Sequence, residues 1–217
     1  MMIFDGHGSH QEGRPAMLQL LDEKIDVWRL QEIRPRIPPI VILSACDTHA
    51  ADRNHASTAN GFLSAGARSV LGTVFPIDAR DAASFVARLI YRVAEFVPVA
   101  HQLLNRSLTW MEIIGGMIRM QLLTDFCRRL ERKGMIDHEA YLAVHESGNL
   151  YINSVNDWPF EKVVSLLAEH GVDEKSAWRE LRTSTANSTA ISYLHLGRPE
   201  TIIVHPDAGF RDEQIRA

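Results

Sequence analysis

The fold is decided by the stretch Ile40-Val41-Ile42-Leu43-Ser44-Ala45-Cys46-Asp47-Thr48. Its run of branched apolar residues is typical of a strand that is buried on both faces in a parallel sheet. The run ends abruptly in small and polar residues, with Cys46 at the turn. In open α/β sheets, sites form just beyond the carboxyl ends of the strands. The pattern therefore predicts a buried strand that leads into a candidate functional cysteine.

The chain begins with a second stretch of the same form. In Met1-Met2-Ile3-Phe4-Asp5-Gly6-His7-Gly8, an apolar run ends in a histidine between two glycines. If the two strands are parallel neighbours, they lie about 4.8 Å apart and end at the same edge of the sheet. His7 and Cys46 would then face one crevice, which is the arrangement of a cysteine nucleophile with a histidine acid/base.

The composition excludes several other classes of protein. The 217 residues, 46% hydrophobic and 23% charged, are ordinary for a soluble globular protein of one or two domains. A net charge of −4 argues against a nucleic-acid partner. The two cysteines are too few for a disulfide framework and indicate a reducing, cytoplasmic setting. No apolar run reaches the roughly 18 residues of a membrane span, and no basic region precedes the first apolar residues.

The first half of the chain has the pattern of a parallel α/β layer. Pro35, Pro38 and Pro39 punctuate the connection before the central strand, and Ser57 or Thr58 is positioned to cap a helix that Gly66 ends. The expected elements are strands near residues 1–5, 40–44 and 69–75, with one or two helical turns over 16–22 and helices over 27–34, 59–65 and 78–96.

The character of the sequence changes after Pro98, and from about residue 111 we expect a second, mainly helical module. A helix over 112–130 is interrupted by charges, which favours a packed core helix over the alternative of a membrane-surface helix. Turn residues at Ser147-Gly148-Asn149 predict a hairpin. The remaining expected elements are helices over 160–170 and 174–181 and strands over 190–196 and 201–205.

Dyad chemistry would need three parts. A thiolate attacks a carbonyl, a histidine moves the proton, and backbone N–H groups hold the developing oxyanion. Gly8 has no side chain, so its N–H can approach a substrate closely. With the N–H of Cys46, it would form the oxyanion hole.

The ordered set of motifs resembles the CHAT family of caspase-like peptidases, which are related to separases, metacaspases and caspases. The set covers roughly residues 1–110 and comprises His7-Gly8, Leu43 to Thr48, Ala59 to Ala67 and Val70 to Pro76. The resemblance implies an α/β fold with a caspase-like, mainly parallel sheet flanked by helices, followed by a mostly helical extension over 111–217 whose role it does not give. By position, His7 is the acid/base and Cys46 the nucleophile of a cysteine peptidase.

The same resemblance implies partners and a biological setting. The partner would be a protein substrate, and no cofactor is expected. Such domains often follow helical repeats and are often switched on by an activating protein or by the upstream domain; some act in bacterial defence or cell death. A caspase-like module that binds a partner without catalysis is the rival interpretation.

Two departures from the family pattern alter these expectations. Phe75 stands where the family often has tryptophan near the end of the strand after the dyad, so this wall of the groove should be altered. The dyad histidine of the family lies on a middle strand, whereas this chain begins six residues before His7. We therefore expect the N-terminal strands of the sheet to be missing, as in a piece of a longer protein, and the unpaired edge to invite self-association.

Several residues around the site have both a functional and a purely structural interpretation. Asp47 and Asp78 could form a pocket for a basic substrate residue, but a loop aspartate often makes only an Asx-turn. Asp5 could orient the imidazole of His7 or serve in a turn.

A zinc site is a further alternative. His7 and His10, with Cys46 and His49, mimic zinc-ligand spacing, although solvated loop histidines are more common.

Farther along the chain, Cys127 is expected to be structural. The basic run Arg128, Arg129, Arg132 and Lys133 is expected to be a solvated helix face.

Overall fold

The computed structural model describes residues 1–9, 16–20, 22–26, 28–45, 57–153 and 158–206. The chain divides into two compact units. The first comprises Met1–Gly115 together with the described residues from Leu194 onward, and the second comprises Gly116–Tyr193. Helices and a sheet with parallel strands occur together, so the predicted α/β class is confirmed.

The elements are numbered in chain order. The strands are β1 (Met2–Asp5), β2 (His7–Ser9), β3 (Met17–Gln19), β4 (Lys24–Asp26), β5 (Ile40–Ser44), β6 (Ser69–Thr73), β7 (Leu108–Thr109), β8 (Tyr193–Gly197) and β9 (Ile203–Val204). The helices are α1 (Thr58–Ser64), α2 (Ala79–Tyr91), α3 (Val97–Leu104), α4 (Trp110–Arg132), α5 (His138–Tyr151), α6 (Pro159–Glu169) and α7 (Glu174–Asn187).

The main sheet of the first unit has the strand order β1-β5-β6-β8. β1 and β6 both pair with β5 in the parallel sense, as the two apolar stretches predict. Every residue of β5 and β6 is buried, which explains why their sequences are apolar without alternation. Apolar side chains from β5, β6 and α1, together with Leu18 and Leu30, form one core cluster of this unit.

A small antiparallel sheet, β2-β3-β4, follows β1 directly. The predicted helix over 16–22 is wrong, because its centre is β3. Leu18 of β3 is 4% exposed and packs into the core beside the half-buried Ile25. Its neighbours Met17 and Gln19 are only half-buried, so burial alternates along this segment as it does in a strand. The predicted helix over 27–34 is also wrong. Asp26 Oδ1 accepts from the N–H groups of Trp28 and Arg29, and only short 3₁₀ turns follow.

The helices α1 and α2 begin within one residue of the predicted positions, but the helix expected to end at residue 96 continues to Leu104. Ser57 Oγ accepts from Asn60 N at the start of α1, and Gly66, with φ +114°, follows its end. α2 continues through a π-helical segment, Arg92–Phe96, into α3. The buried Arg92 is held there, because its Nε donates to Ile113 O at 3.1 Å and its guanidinium lies 4.1 Å from the centroid of the Phe96 ring.

The chain returns to the first unit through β8 and β9, close to the two strands predicted at its end. β9 pairs with β7 in the antiparallel sense. Thr109 of β7 and Glu112 form a reciprocal capping box at the start of α4, in which Thr109 N donates to Glu112 Oε2 at 2.8 Å. Arg106 also donates to this carboxylate, and the pKa of Glu112 falls to about 2, chiefly because of that hydrogen bond.

The second unit is helical, and its core lies between α4, α5, α6 and α7. The hairpin predicted around Ser147-Gly148-Asn149 is wrong, because these residues lie within α5. A Cβ at Gly148 would come within 2.9 Å of Leu123 Cδ2 and 3.2 Å of Val163 Cγ2. The glycine therefore allows three helices to approach closely rather than making a turn.

The basic run on α4 is solvated only in part. Arg128 and Arg132 are exposed, as expected. Arg129 Nε and Lys133 Nζ contact the buried carboxylate of Glu180 at 2.8 and 2.6 Å. This pairing favours the ionised form and lowers the pKa of Glu180. None of the helices within the described ranges combines the length and the hydrophobicity that crossing a bilayer needs.

Candidate functional site

The carboxyl ends of β1 and β5 meet at one edge of the main sheet. The register pairs Phe4 with Leu43 and Asp5 with Ser44, and Gly6 N donates to Ser44 O at 3.3 Å. His7 stands two positions after Asp5, and Cys46 two positions after Ser44. Ala45 is the last described residue at this end of β5, and Cys46 and Asp47 lie outside the described residues.

His7 is exposed to solvent at this edge, as the first residue of β2. Gly6 makes the change from the main sheet to the small sheet. A Cβ at that position would come within 3.1 Å of the Phe4 ring and 3.5 Å of Gln19 O. A larger residue would therefore crowd the close passage that turns the chain toward His7. In the small sheet His7 pairs with Gln19, which pairs in turn with Lys24.

Asp5 lies at the end of a strand, as the sequence predicts, whereas Gly8 lies in β2, a strand that the sequence does not predict. Gly8 is half-buried and lies opposite Leu18 in the β2-β3 ladder. Asp5 is exposed at the end of β1, opposite Ser44. The proposed functions of both residues stay predictions.

A hydrogen bond that the sequence does not reveal fixes the backbone one residue before Cys46. Thr73 Oγ1, at the end of β6, donates to Ala45 O at 2.7 Å. Thr73 is 2% exposed and Ala45 is 6% exposed, so this bond is shielded from water. The only hint of this bond in the sequence is the hydroxyl of Thr73 within the apolar run over 69–75.

The neighbouring Ser44 has a buried hydroxyl with no hydrogen-bond partner among the described residues. Such a group is costly, by about 1–3 kcal/mol, unless something satisfies it. It lies at the last position of β5, two residues before Cys46. Unsatisfied polar groups are rare in native interiors, and this one lies beside the candidate site.

Phe75 and Asp78 follow the end of β6 at the same edge of the sheet. Phe75 is 52% exposed, unusually open for an aromatic side chain beside a core strand. Asp78 caps α2, because its Oδ1 accepts from Arg80 N at 2.9 Å. The structure thus gives Asp78 a local role, while substrate contact by either residue stays a prediction.

The alternative of a zinc site falls mostly outside the described residues, because these exclude His10, Cys46 and His49. Within the residues that the structure does describe, no group of three or more histidine, cysteine or acidic side chains could hold a metal ion.

The second cysteine, Cys127, is unsuited to nucleophilic chemistry. Its thiol is fully buried in the core of the second unit, and burial raises its pKa to about 12. The thiolate is the reactive form of cysteine, so this side chain stays protonated and inert near neutral pH. Its predicted structural role is confirmed.

Comparison with known families supports the resemblance read from the motifs. Residues 4–111 match the model of the CHAT domain. The matched region begins within β1 and includes both strand ends of the candidate site. No curated protein matches the chain.

Proposed function

Because residues 4–111 of the chain belong to the CHAT domain family, we propose that it is a caspase-like cysteine endopeptidase that cleaves peptide bonds in a protein substrate. The observation that carries the proposal is the parallel register of β1 and β5. By that register, His7 and Cys46 each follow a strand end by two residues at one edge of the sheet. This is the edge at which sites form in open α/β sheets.

The proposed mechanism begins with attack of the Cys46 thiolate on the scissile carbonyl carbon. The N–H groups of Gly8 and Cys46 hold the resulting oxyanion. The imidazolium of His7 protonates the leaving nitrogen as the C–N bond breaks, which leaves an acyl-enzyme thioester on Cys46. Water then attacks the thioester carbonyl while His7 accepts its proton, so the new carboxyl group departs and the thiolate is restored.

The residues around this edge suggest the substrate class. The exposed ring of Phe75 is available as a wall of the groove. The carboxylates of Asp47 and Asp78 would favour a basic residue before the scissile bond. Activation by a partner or an upstream repeat domain, and a cytoplasmic location, complete the proposal.

A peptide electrophile that alkylates cysteine tests the proposal directly. An arginyl chloromethyl ketone should label the chain once, at Cys46, with the position read by mass spectrometry. His7→Ala should slow labelling at least about tenfold, because the His7 imidazolium favours the Cys46 thiolate, which is the form that displaces chloride from the probe. Cys127→Ala is the matched control and should be labelled at the wild-type rate, because this thiol is buried and protonated.

Cys46→Ala should abolish labelling. Label that persists in this variant would remove the peptidase proposal.

A non-catalytic interaction module is the second candidate, favoured by one feature of β1. Its apolar residues Met2, Ile3 and Phe4 are only half-buried, in contrast to those of β5 and β6, and β1 stands at the end of the described strand order. Edge strands of this kind are open to another chain, including a second copy. A folded wild-type chain labelled no faster than the His7→Ala variant would favour this candidate over the peptidase.

A further inference from the structure

Two histidines from distant parts of the sequence meet in the first unit. Neither is close in sequence to His7 or Cys46 of the proposed dyad. His101 lies on α3, and His205 follows β9 directly. Their imidazole rings pack edge to face, with ring centroids 4.6 Å apart and an interplanar angle of 64°. Neither residue has a role in the proposed peptidase chemistry.

The environment of the pair suits a ligand from solvent. Nδ1 of His101 is buried and has no hydrogen-bond partner among the described residues. His205 is exposed, so an ion could reach the pair. A buried ring nitrogen without a hydrogen-bond partner has an unused donor or acceptor, and a metal ion is one way of satisfying a lone pair.

The separation of the rings agrees with shared coordination of one ion. A ring nitrogen lies about 1.1 Å from the ring centroid and a Zn–N bond is about 2.0–2.1 Å, so an ion lies about 3.2 Å from the centroid of each ligating imidazole. Two imidazoles that subtend an angle between 90° and the tetrahedral value at the ion then have centroids about 4.5–5.2 Å apart. The observed 4.6 Å lies within this interval.

We propose that His101 and His205 form a two-histidine site for a divalent transition-metal ion such as Zn²⁺. Imidazole nitrogen is a preferred ligand of Zn²⁺, Cu²⁺ and Ni²⁺. Within the residues that the structure describes, this pair is not part of a cluster of three or more side chains of the usual ligand types, so it supplies two ligands to the ion. The bound ion joins α3 to the segment that follows β9 and thereby stabilises the β7-β9 pairing.

Titration of the untagged, EDTA-stripped full chain with ZnCl₂, followed by calorimetry and thermal unfolding, tests the site. The wild type should bind Zn²⁺ and unfold at a higher temperature when the ion is present. His101→Gln and His205→Gln should each lower the affinity at least tenfold and remove the thermal shift. Glutamine is chosen because it keeps most of the side-chain volume and so preserves the fold.

Two matched controls separate this site from other histidines. His170→Gln changes an exposed histidine at the end of α6, and His49→Gln removes a member of the alternative zinc site in the sequence. Both variants should bind like the wild type. Wild-type affinity in both His101→Gln and His205→Gln, loss of binding in His49→Gln, or no binding by the wild type would overturn the proposal.

A measurement on the unaltered chain covers the case in which the variants do not fold. Paramagnetic Ni²⁺ should broaden the imidazole NMR signals of His101 and His205 before those of the other histidines. Broadening that begins elsewhere would contradict the proposed site.

Discussion

The two edges of the parallel strands in the first unit are built in contrasting ways. At the amino edge, where β5 and β6 begin, side chain and backbone hydrogen bonds tie the strands to the returning chain: Ser69 Oγ lies 2.6 Å from His195 Nε2, and Arg198 N donates to Arg68 O at 2.8 Å. At the carboxyl edge, His7 and Phe75 are exposed. Substitutions at the amino edge should therefore change stability alone, whereas those at the carboxyl edge should also change the labelling rate of Cys46.

The largest expected effect lies at the amino edge, at Gly197. This residue has φ +89°, and a Cβ there would come within 2.3 Å of Arg68 O and 3.0 Å of Leu63 Cδ2. Gly197→Ala should lower the free energy of unfolding by about 3 kcal/mol or more, because a backbone clash adds to left-handed strain. Urea unfolding measures this loss, while the labelling rate of Cys46 in the folded fraction should stay unchanged.

Gly171→Ala is the matched control. Gly171 has φ +79°, but no atom of the described residues around it lies within 4 Å of the position that a Cβ would take. This substitution therefore isolates the conformational strain. An equal loss of stability in the two variants would show that the amino edge is not closely packed at Gly197.

The next largest effect is expected at Thr73, and it tests whether a hydrogen bond also stabilises the carboxyl edge. Thr73→Val removes the donor to Ala45 O and leaves a buried carbonyl unsatisfied, which should cost about 2 kcal/mol in unfolding free energy. Because Ala45 precedes Cys46, we also expect the labelling rate to fall at least about tenfold, since misplacement of reacting groups is costly. Urea unfolding and labelling with the arginyl chloromethyl ketone measure the two effects.

Thr73→Ser keeps the hydroxyl and is the control for this bond. It should retain most of the labelling rate. If the serine variant is as slow as the valine variant, the lost methyl packing rather than the hydrogen bond positions the backbone before Cys46.

A smaller effect concerns the pH dependence of the amino edge. Burial lowers the pKa of His195 to about 4, and Glu200 opposes the shift only in part. The unfolded chain, with a histidine pKa near its ordinary 6.5, therefore binds more protons between pH 6.5 and 4. The stability that neutral His195 contributes is present above pH 6.5 and is lost as the pH falls through this interval.

We expect this loss to be about 1.5 kcal/mol, roughly half of the unscreened value, because the ring is only partly buried. Urea unfolding between pH 7.5 and 4 measures it. His195→Gln should flatten the pH profile, whereas the exposed His170→Gln should leave it unchanged. An unaltered profile in His195→Gln would exclude His195 as the source.

The contrast between the edges also explains which features the sequence could predict. β5 and β6 are predictable because burial on both faces leaves an uninterrupted apolar run, and Pro39 and Pro76 mark their limits. The positions of the polar residues that follow these strands can be read from the same apolar runs. The residue types at the carboxyl edge are therefore visible in local patterns.

The contacts that the sequence could not reveal are between distant residues. The pairing of Ser69 with His195 joins positions that are 126 apart, and that of Thr73 with Ala45 depends on the register of β6 against β5. Gly148 misled the prediction for the same reason, since its neighbours Leu123 and Val163 belong to other helices. Local propensity is then overridden by tertiary packing.

The smallest effect separates the two roles of Asp78 at the carboxyl edge. Asp78→Ala removes the cap of α2 and should cost about 1 kcal/mol in unfolding free energy. Asp78→Ser keeps a capping oxygen but removes the charge, so its stability should stay near that of the wild type. If the carboxylate also attracts a basic substrate residue, Asp78→Ser should slow labelling by the arginyl probe about two- to fivefold, as expected for a solvent-exposed charge pair.

A norleucyl chloromethyl ketone is the neutral control for this last comparison, because it has a similar stem without the charge. The serine variant should react with it at the wild-type rate. Equal slowing with both probes would mean that Asp78 acts through the position of α2 and not through its charge. No slowing with either probe would leave Asp78 as a helix cap alone and would shift the proposed basic preference to Asp47.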